Sequence, residues 1–195
     1  MHPIQFSEVK NIYEYEKIRP DFRAKIIAEK KHRRFQIGEH MTIVFENRNS
    51  VLFQIQEMIR VEKIITDEGM QHEIDTYNLI LPGKNELSAT LLIDITEKHL
   101  IKPMLDSLIG LHRDSIYIVI DGREIPALFD ESQIEDDRIS AVQYIKWVLT
   151  DEDVRKFSDH SIVIQIAVKH KNYTASHTLT EDEQEALSAD LIATN

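Results

Sequence analysis

NSVLFQIQEMIRVEKII, residues Asn49 to Ile65, decides how the first half of this chain is built. At 100° per residue, Val51, Leu52, Ile55, Met58, Ile59, Val61 and Ile65 cover an arc of about 180°, wider than a surface helix requires, so the stretch reads as a buried helix capped by Ser50. Its polar residues divide. Gln54 falls inside the arc, Glu62 lies at the fraying end, Glu57 sits at a boundary, and Gln56, Arg60 and Lys63 share the other side with Phe53 and Ile64 beside them. A buried amide without a partner costs roughly 1 to 3 kcal/mol, so Gln54 must be bonded to something.

Thr66 caps the next helix, which places Met70, Ile74, Tyr77 and Leu81 at helical spacing before Pro82-Gly83 stops it. The connection is too short for anything but an antiparallel helical hairpin over about residues 50–81. With the turn near Thr66, facing positions sum to about 131, which brings Gln54 toward Tyr77 and Arg60 toward His72 and Glu73. Two readings follow. A Gln54–Tyr77 and an Arg60–Glu73 bond would tie the hairpin together; alternatively Gln54, Glu57, Arg60, Glu73 and Tyr77, with Arg19 and Arg23 nearby, line a polar pocket for an anionic small molecule.

Working outward, the N-terminal helices occupy about residues 7–34: one from Ser7 to Lys17, ended by Arg19-Pro20, and a second opened by Pro20 and closed by the basic run Lys30 to Arg34. Phe35, Ile37, Met41, Ile43 and Phe45 alternate as one half-buried strand with a bulge at Gly38, and Glu46 to Asn49 turns the chain. A strand-rich part spans about residues 86–179. Leu87 to Ile95 is a strand, Thr96 to Gly110 a helix interrupted by Pro103, and Ser115 to Ile120 a strand turned by Asp121-Gly122 into another, Arg123 to Phe129. The acidic stretch Asp130 to Asp137 reads as a loop, Ala141 to Leu149 as a strand and Thr150 to Asp153 as a capping box. Ile162 to Val168 and Tyr173 to Leu179 form a last hairpin, and a C-terminal helix follows over about 181–193, with Leu187 and Leu191 on one side. The expected fold is a single α+β domain, residues 1–195, with seven strands in a largely antiparallel sheet flanked by six helices.

Composition excludes more than it assigns. Apolar residues make up 42% and charged residues 29%, ordinary globular usage, and no run approaches the roughly 20 apolar residues that span a bilayer, so no membrane is expected. The N-terminus carries no basic region followed by an apolar stretch, and there is no cysteine for a disulfide, thiolate site or iron–sulfur ligation; the expected compartment is the cytoplasm. Of the net charge of −11, residues 1–65 contribute +3 (12 basic, 9 acidic) and the rest −14 (11 basic, 25 acidic), which argues against nucleic acid as a partner. With five glycines there is no GxGxxG and no phosphate loop, and there is no GxSxG elbow. The nine histidines show no paired spacing on one helix face, so neither a metal nor a cofactor is expected, and catalytic residues stay unassigned.

Tyr15 to Arg23 (YEKIRPDFR), Phe45-Glu46-Asn47, Gln54 to Arg60 (QIQEMIR) and Glu73 with Tyr77-Asn78 together resemble the bacterial domain-of-unknown-function family three-five-zero-one over nearly the whole chain. The resemblance implies an accessory role beside rubrerythrin-like and iron–sulfur redox proteins. Two functions are therefore expected alternatives: a non-catalytic accessory protein that binds redox partners, or an enzyme or small-molecule binder using Glu57, Arg60, Glu73 and Tyr77.

Overall fold

A computed structural model describes residues 1–193. Its order is α1 (Ile12–Lys30), β1 (Arg34–Ile37), β2 (Met41–Glu46), α2 (Arg48–Val61), α3 (Asp67–Asn78), β3 (Glu86–Ile93), α4 (Ile101–Ser107), β4 (Ile116–Ile120), β5 (Arg123–Pro126), β6 (Leu128–Phe129), β7 (Val142–Val148), α5 (Asp151–Phe157), β8 (Ile164–His170), β9 (Tyr173–Thr178) and α6 (Glu181–Ala193). The α+β class and the antiparallel pairing agree with the sequence reading. The strands, however, form two sheets, β1-β2-β3-β7-β6 and β5-β4-β8-β9, in place of one.

Alternation builds the larger core. Phe35, Ile43, Phe45, Leu87, Leu91, Ile145 and Trp147 of the first sheet pack with Ile116, Ile118, Ile164, Ile166 and Val168 of the second. Leu187 and Leu191 of α6, fully buried, and Phe157 of α5 join the same core. A second cluster, Ile4, Val51, Ile55, Ile59, Met70, Ile74, Ile80 and Leu81, lies between the N-terminal segment, α2 and α3. Side chains alternate across a strand, so the other face of the first sheet carries Thr42, Val44 and Glu46 on β2, Glu86, Ser88, Thr90 and Leu92 on β3, and Tyr144, Lys146 and Val148 on β7. That face is mostly polar, and it is the one turned toward the helices.

Local chemistry explains several boundaries. Thr66 accepts from Gly69 N–H at the start of α3, Thr150 and Asp153 form a capping box on α5, and Asp121 and Gly122 both take positive φ in the tight turn between β4 and β5. The N-cap of α2 is Asn47, with Ser50 as its reciprocal partner, so Ser50 is inside the helix.

Elsewhere the expectation is corrected. Helix α1 runs unbroken through Pro20, from Asn11 as its cap, where two helices were expected. A proline costs its helix one hydrogen bond, and here ion pairs from α1 to α2 on the same turns offset that loss. The single strand expected around Gly38 is a hairpin of two: Gly38 has φ +70°, and a Cβ there would stand 2.5 Å from Tyr173 Oη, so only glycine fits. The Tyr173 hydroxyl donates to Ile37 O (2.5 Å) and accepts from His40 N–H (3.1 Å), pinning this turn to β9. The helix expected from Thr96 to Gly110 is shorter, a 3₁₀ turn at Lys98–Leu100 and then α4 with Pro103 in its first turn. The strand expected from Arg123 to Phe129 divides at Ala127, β5 entering one sheet and β6 the other. Among the described residues no helix is long and apolar enough to cross a membrane.

Candidate functional site

The residues singled out in the sequence fall into two separate places. Helix α2 has α1 on one side and the polar face of the first sheet on another, and its side chains are distributed accordingly.

The side of α2 that carries Gln56 and Arg60 faces α1. Gln56, 2% exposed, donates to Lys10 O (2.9 Å) and accepts from Lys10 N–H (2.8 Å). Arg19 makes a two-pronged bond to Glu57, Nε to Oε1 at 2.7 Å and Nη2 to Oε2 at 3.0 Å, and the Tyr15 hydroxyl donates to Oε1 at 2.7 Å. Arg60 Nε reaches Glu16 Oε1 at 2.6 Å. The Arg19 bond, helped by Tyr15, holds the Glu57 carboxyl below its usual range against the opposing effect of burial, and burial with the bond to Glu57 pushes the Tyr15 hydroxyl up. Arg60 therefore pairs with α1 and not with Glu73, and Gln54 does not bond Tyr77, because α1 and the sheet supply nearer partners than the α2–α3 hairpin does. Arg23 is exposed. Glu73 is half-buried, close enough to Tyr77 for its charge to be felt.

The sheet side of α2 holds a second constellation. Glu46 at the end of β2 is 3% exposed, and among the described residues it has no ion pair. Its Oε2 accepts from Ser50 Oγ (2.5 Å) and Gln54 Nε2 (2.9 Å), and its Oε1 from Thr90 Oγ1 (2.7 Å). Three donors offset the cost of burying this carboxylate. This is the partner that Gln54 required. Tyr77 and Tyr144 lie within electrostatic reach of Glu46; burial first, then the neighbouring Tyr144 and the charges of Glu73 and Glu46, push the Tyr77 hydroxyl up to about 12, and Tyr144 is raised by burial, Glu46 and Asp130.

Beside this network the helical hairpin leaves part of the polar sheet face uncovered. A cleft of about 280 Å³ opens there, bounded by Leu79 and Ile80 after α3, Leu128 and Phe129 on β6, and Val148 on β7, with Ser88 and Tyr144 toward its floor. Leu79, Leu128 and Val148 are 71%, 57% and 51% exposed and give it an apolar rim. The loop after β6 fixes one wall: Asp130 N–H donates to Tyr144 O (3.0 Å) and Gln133 Oε1 accepts from Tyr144 N–H (2.9 Å), closing the β7 edge. The charged groups at the cleft are occupied. Asp130 accepts from Ser132 N–H (2.9 Å) and Oγ (2.8 Å), Glu86 accepts from Gly83 N–H (2.8 Å), and Lys146 Nζ donates to Leu81 O (3.2 Å) with Glu86 at 3.9 Å. By contrast, the hydroxyls of Ser88 and Tyr144 take no hydrogen bond among the described residues.

Of this cleft the sequence reading had only the neighbours Gln54 and Tyr77. In the sequence Glu46 stands in a turn and in the Phe45-Glu46-Asn47 motif, with no site role attached, and nothing there points to Ser88, Thr90 or Tyr144. The available signal was polar residues at every second position of β3, Glu86, Ser88 and Thr90, on a strand with apolar alternates. Among the described residues, no group of three or more His, Asp or Glu side chains is placed to hold a metal ion.

Among solved structures, the chain is similar to a novel protein of unknown function from Burkholderia pseudomallei K96243, with a crystal structure at 1.90 Å resolution. The two share 27% identity over 97% of this chain and 100% of that one, with a TM-score of 0.90. Among curated proteins none matches. The model of the family described as "Protein of unknown function (DUF3501)" matches residues 3–191. Sequence and fold thus agree over nearly the whole length, and the chain belongs to the DUF3501 family of proteins of unknown function.

Proposed function

We propose that this chain is a non-catalytic accessory protein of the cytoplasm that binds a small molecule in the cleft between α3, β6 and β7. The observation that carries the reading is the cleft itself: an apolar rim over a floor with two uncommitted hydroxyls, on a sheet face that is otherwise covered. Few polar contacts in an apolar recess suit binding and orientation. An anion site around Arg19 and Arg60 is the weaker alternative, because the ligand would have to displace Glu57 from a two-pronged bond and Glu16 from Arg60. Rubrerythrin-like or iron–sulfur redox proteins as partners are part of the proposal, and the family resemblance alone supports them.

The test is thermal unfolding in the presence of small aromatic and aliphatic compounds. Binding to the folded state raises stability by about 2.7 kcal/mol at a hundred times the dissociation constant. At least one compound is expected to raise the melting temperature of the wild type and to lose that effect in Leu128→Asp, a change at an exposed rim position. A panel that shifts neither protein, or shifts both equally, would remove the cleft as the binding site. For the partners, native co-purification from a cell extract should bring down an iron–sulfur or rubrerythrin-like protein; isolation of the chain alone would count against them.

A further inference from the structure

The chemistry of the cleft specifies its ligand more narrowly than its shape does. Ser88 is 2% exposed, yet its hydroxyl has no hydrogen bond among the described residues, although it lines the cleft. Because it lines the cleft, that hydroxyl is met by whatever occupies the recess, water or ligand. Tyr144 on the adjacent strand is half-buried, and its hydroxyl likewise takes no hydrogen bond among the described residues. The register sets their spacing. Ser88 pairs with Lys146 and Thr90 with Tyr144, so Ser88 and Tyr144 are diagonal neighbours on one face of the sheet, roughly 7 to 8 Å apart at the backbone. Both side chains lean over the same recess, and a carbonyl oxygen has two lone pairs with which to meet them.

Charge excludes two of the three obvious ligand classes. Glu86 and Asp130 line the cleft, Glu46 is within electrostatic reach of Tyr144, and among the described residues the cation lining the cleft is Lys146, already engaged by Leu81 O and by Glu86. An anion would enter a field of three carboxylates against one occupied ammonium. A cation would be drawn by the same carboxylates, but it would compete with Lys146, which already stands beside Glu86, and an ammonium has donors only, so it would leave the two hydroxyl protons without an acceptor. The remaining class is a neutral molecule with an apolar body and one strong acceptor.

We propose that the cleft binds an uncharged, predominantly apolar small molecule through a carbonyl or amide oxygen that accepts hydrogen bonds from the hydroxyls of Tyr144 and Ser88, with its body against Leu128, Phe129 and Val148. This rests on the cleft being the binding site. Beside it, Ser50, Gln54 and Thr90 already donate to both oxygens of Glu46, and the Tyr144 hydroxyl makes no hydrogen bond to that carboxylate. The cleft volume of about 280 Å³ exceeds the roughly 150 Å³ of a cavity known to take benzene, so a substituted single ring fits.

Benzamide, benzoate and benzylamine have one ring each and nearly the same shape, and they differ in charge and in the acceptor. Their dissociation constants for the full chain, from titrations followed by two-dimensional NMR, test the proposal. Benzamide is expected to bind about tenfold more tightly than either charged analogue. Tyr144→Phe and Ser88→Ala, each with melting temperatures checked against the wild type, are each expected to weaken benzamide about fivefold, and the pair together to bring it down to the affinity of toluene. Tighter binding of benzoate or benzylamine, with resonances of the cleft shifting, would overturn the ligand class and leave the cleft standing. The same holds if benzamide keeps its affinity in both variants while they remain folded. Failure of all three compounds and of toluene to perturb the cleft would overturn both readings.

Discussion

The two faces of the first sheet have opposite compositions. Toward the second sheet, Phe45, Leu91, Ile145 and Trp147 are apolar and wholly buried, and Phe45 stacks on Trp147 with ring centroids 5.5 Å apart. Toward the helices, the same strands present Glu46, Ser88, Thr90, Tyr144 and Lys146. An apolar face is enough to drive collapse. A polar face under a helical hairpin costs desolvation and must be matched donor by donor, as Glu46 is; where the match stops, at Ser88 and Tyr144, the surface is open. One face makes the fold; on the other, the donors and acceptors stop matching at the cleft proposed to bind a ligand.

Substitutions on the two faces should therefore separate stability from binding. The largest effect belongs to the apolar face: Trp147→Ala should cost about 3 to 5 kcal/mol, read from the urea midpoint, because a large ring leaves a cavity between packed sheets. A loss under 1 kcal/mol would mean that this face is not the fold's main support. Next comes Glu46→Ala, expected to cost about 2 to 4 kcal/mol because Ser50, Gln54 and Thr90 lose their acceptor together. If Glu46→Ala folded with unchanged stability, the matched network would be a surface detail.

The seam between α1 and α2 gives a pH-dependent comparison. Glu57 has its carboxyl lowered in the folded chain by Arg19 and Tyr15, so its stabilisation is fully present above the ordinary carboxylate value of about 4.3 and is lost as pH falls through the lower folded value. Glu57→Gln should cost about 1 to 2 kcal/mol at neutral pH and flatten the loss of stability below about pH 4, measured by denaturant titrations across that range. An unchanged acid limb in the variant would show that the α1–α2 seam does not depend on this charge. The smallest effect on stability is expected at Tyr144→Phe, within about 0.5 kcal/mol, since the hydroxyl has no hydrogen-bond partner to lose among the described residues. A loss of 2 kcal/mol there would show an internal role for the hydroxyl and count against the cleft.

What the sequence made legible was local. Thr66, the Thr150 capping box and the Asp121-Gly122 turn have their chemistry within four residues, and the structure holds all of them where the sequence placed them. The continuity of α1 through Pro20 was not legible, because it is held by Arg19 and Glu16 reaching residues about forty positions away. Nor was the passage of the chain from one sheet to the other at Ala127, within a single run of strand-forming residues. The QIQEMIR stretch shows the same limit. Its helix wheel correctly required a partner for Gln54, but the identity of that partner, Glu46, depended on α2 lying across the sheet. Its opposite side packs on α1, with Gln56 buried there and Arg60 bonded to Glu16 at the exposed edge.

The central claim is that recognition belongs to the open polar patch of the sheet and not to the saturated seam. The most direct test is a map of which resonances move when a binding small molecule is titrated into the full chain. Shifts concentrated at Ser88, Leu128, Tyr144 and Val148, with Arg19, Glu57 and Arg60 unmoved, are the predicted result. Shifts concentrated at Arg19, Glu57 and Arg60, with the cleft unmoved, would contradict it.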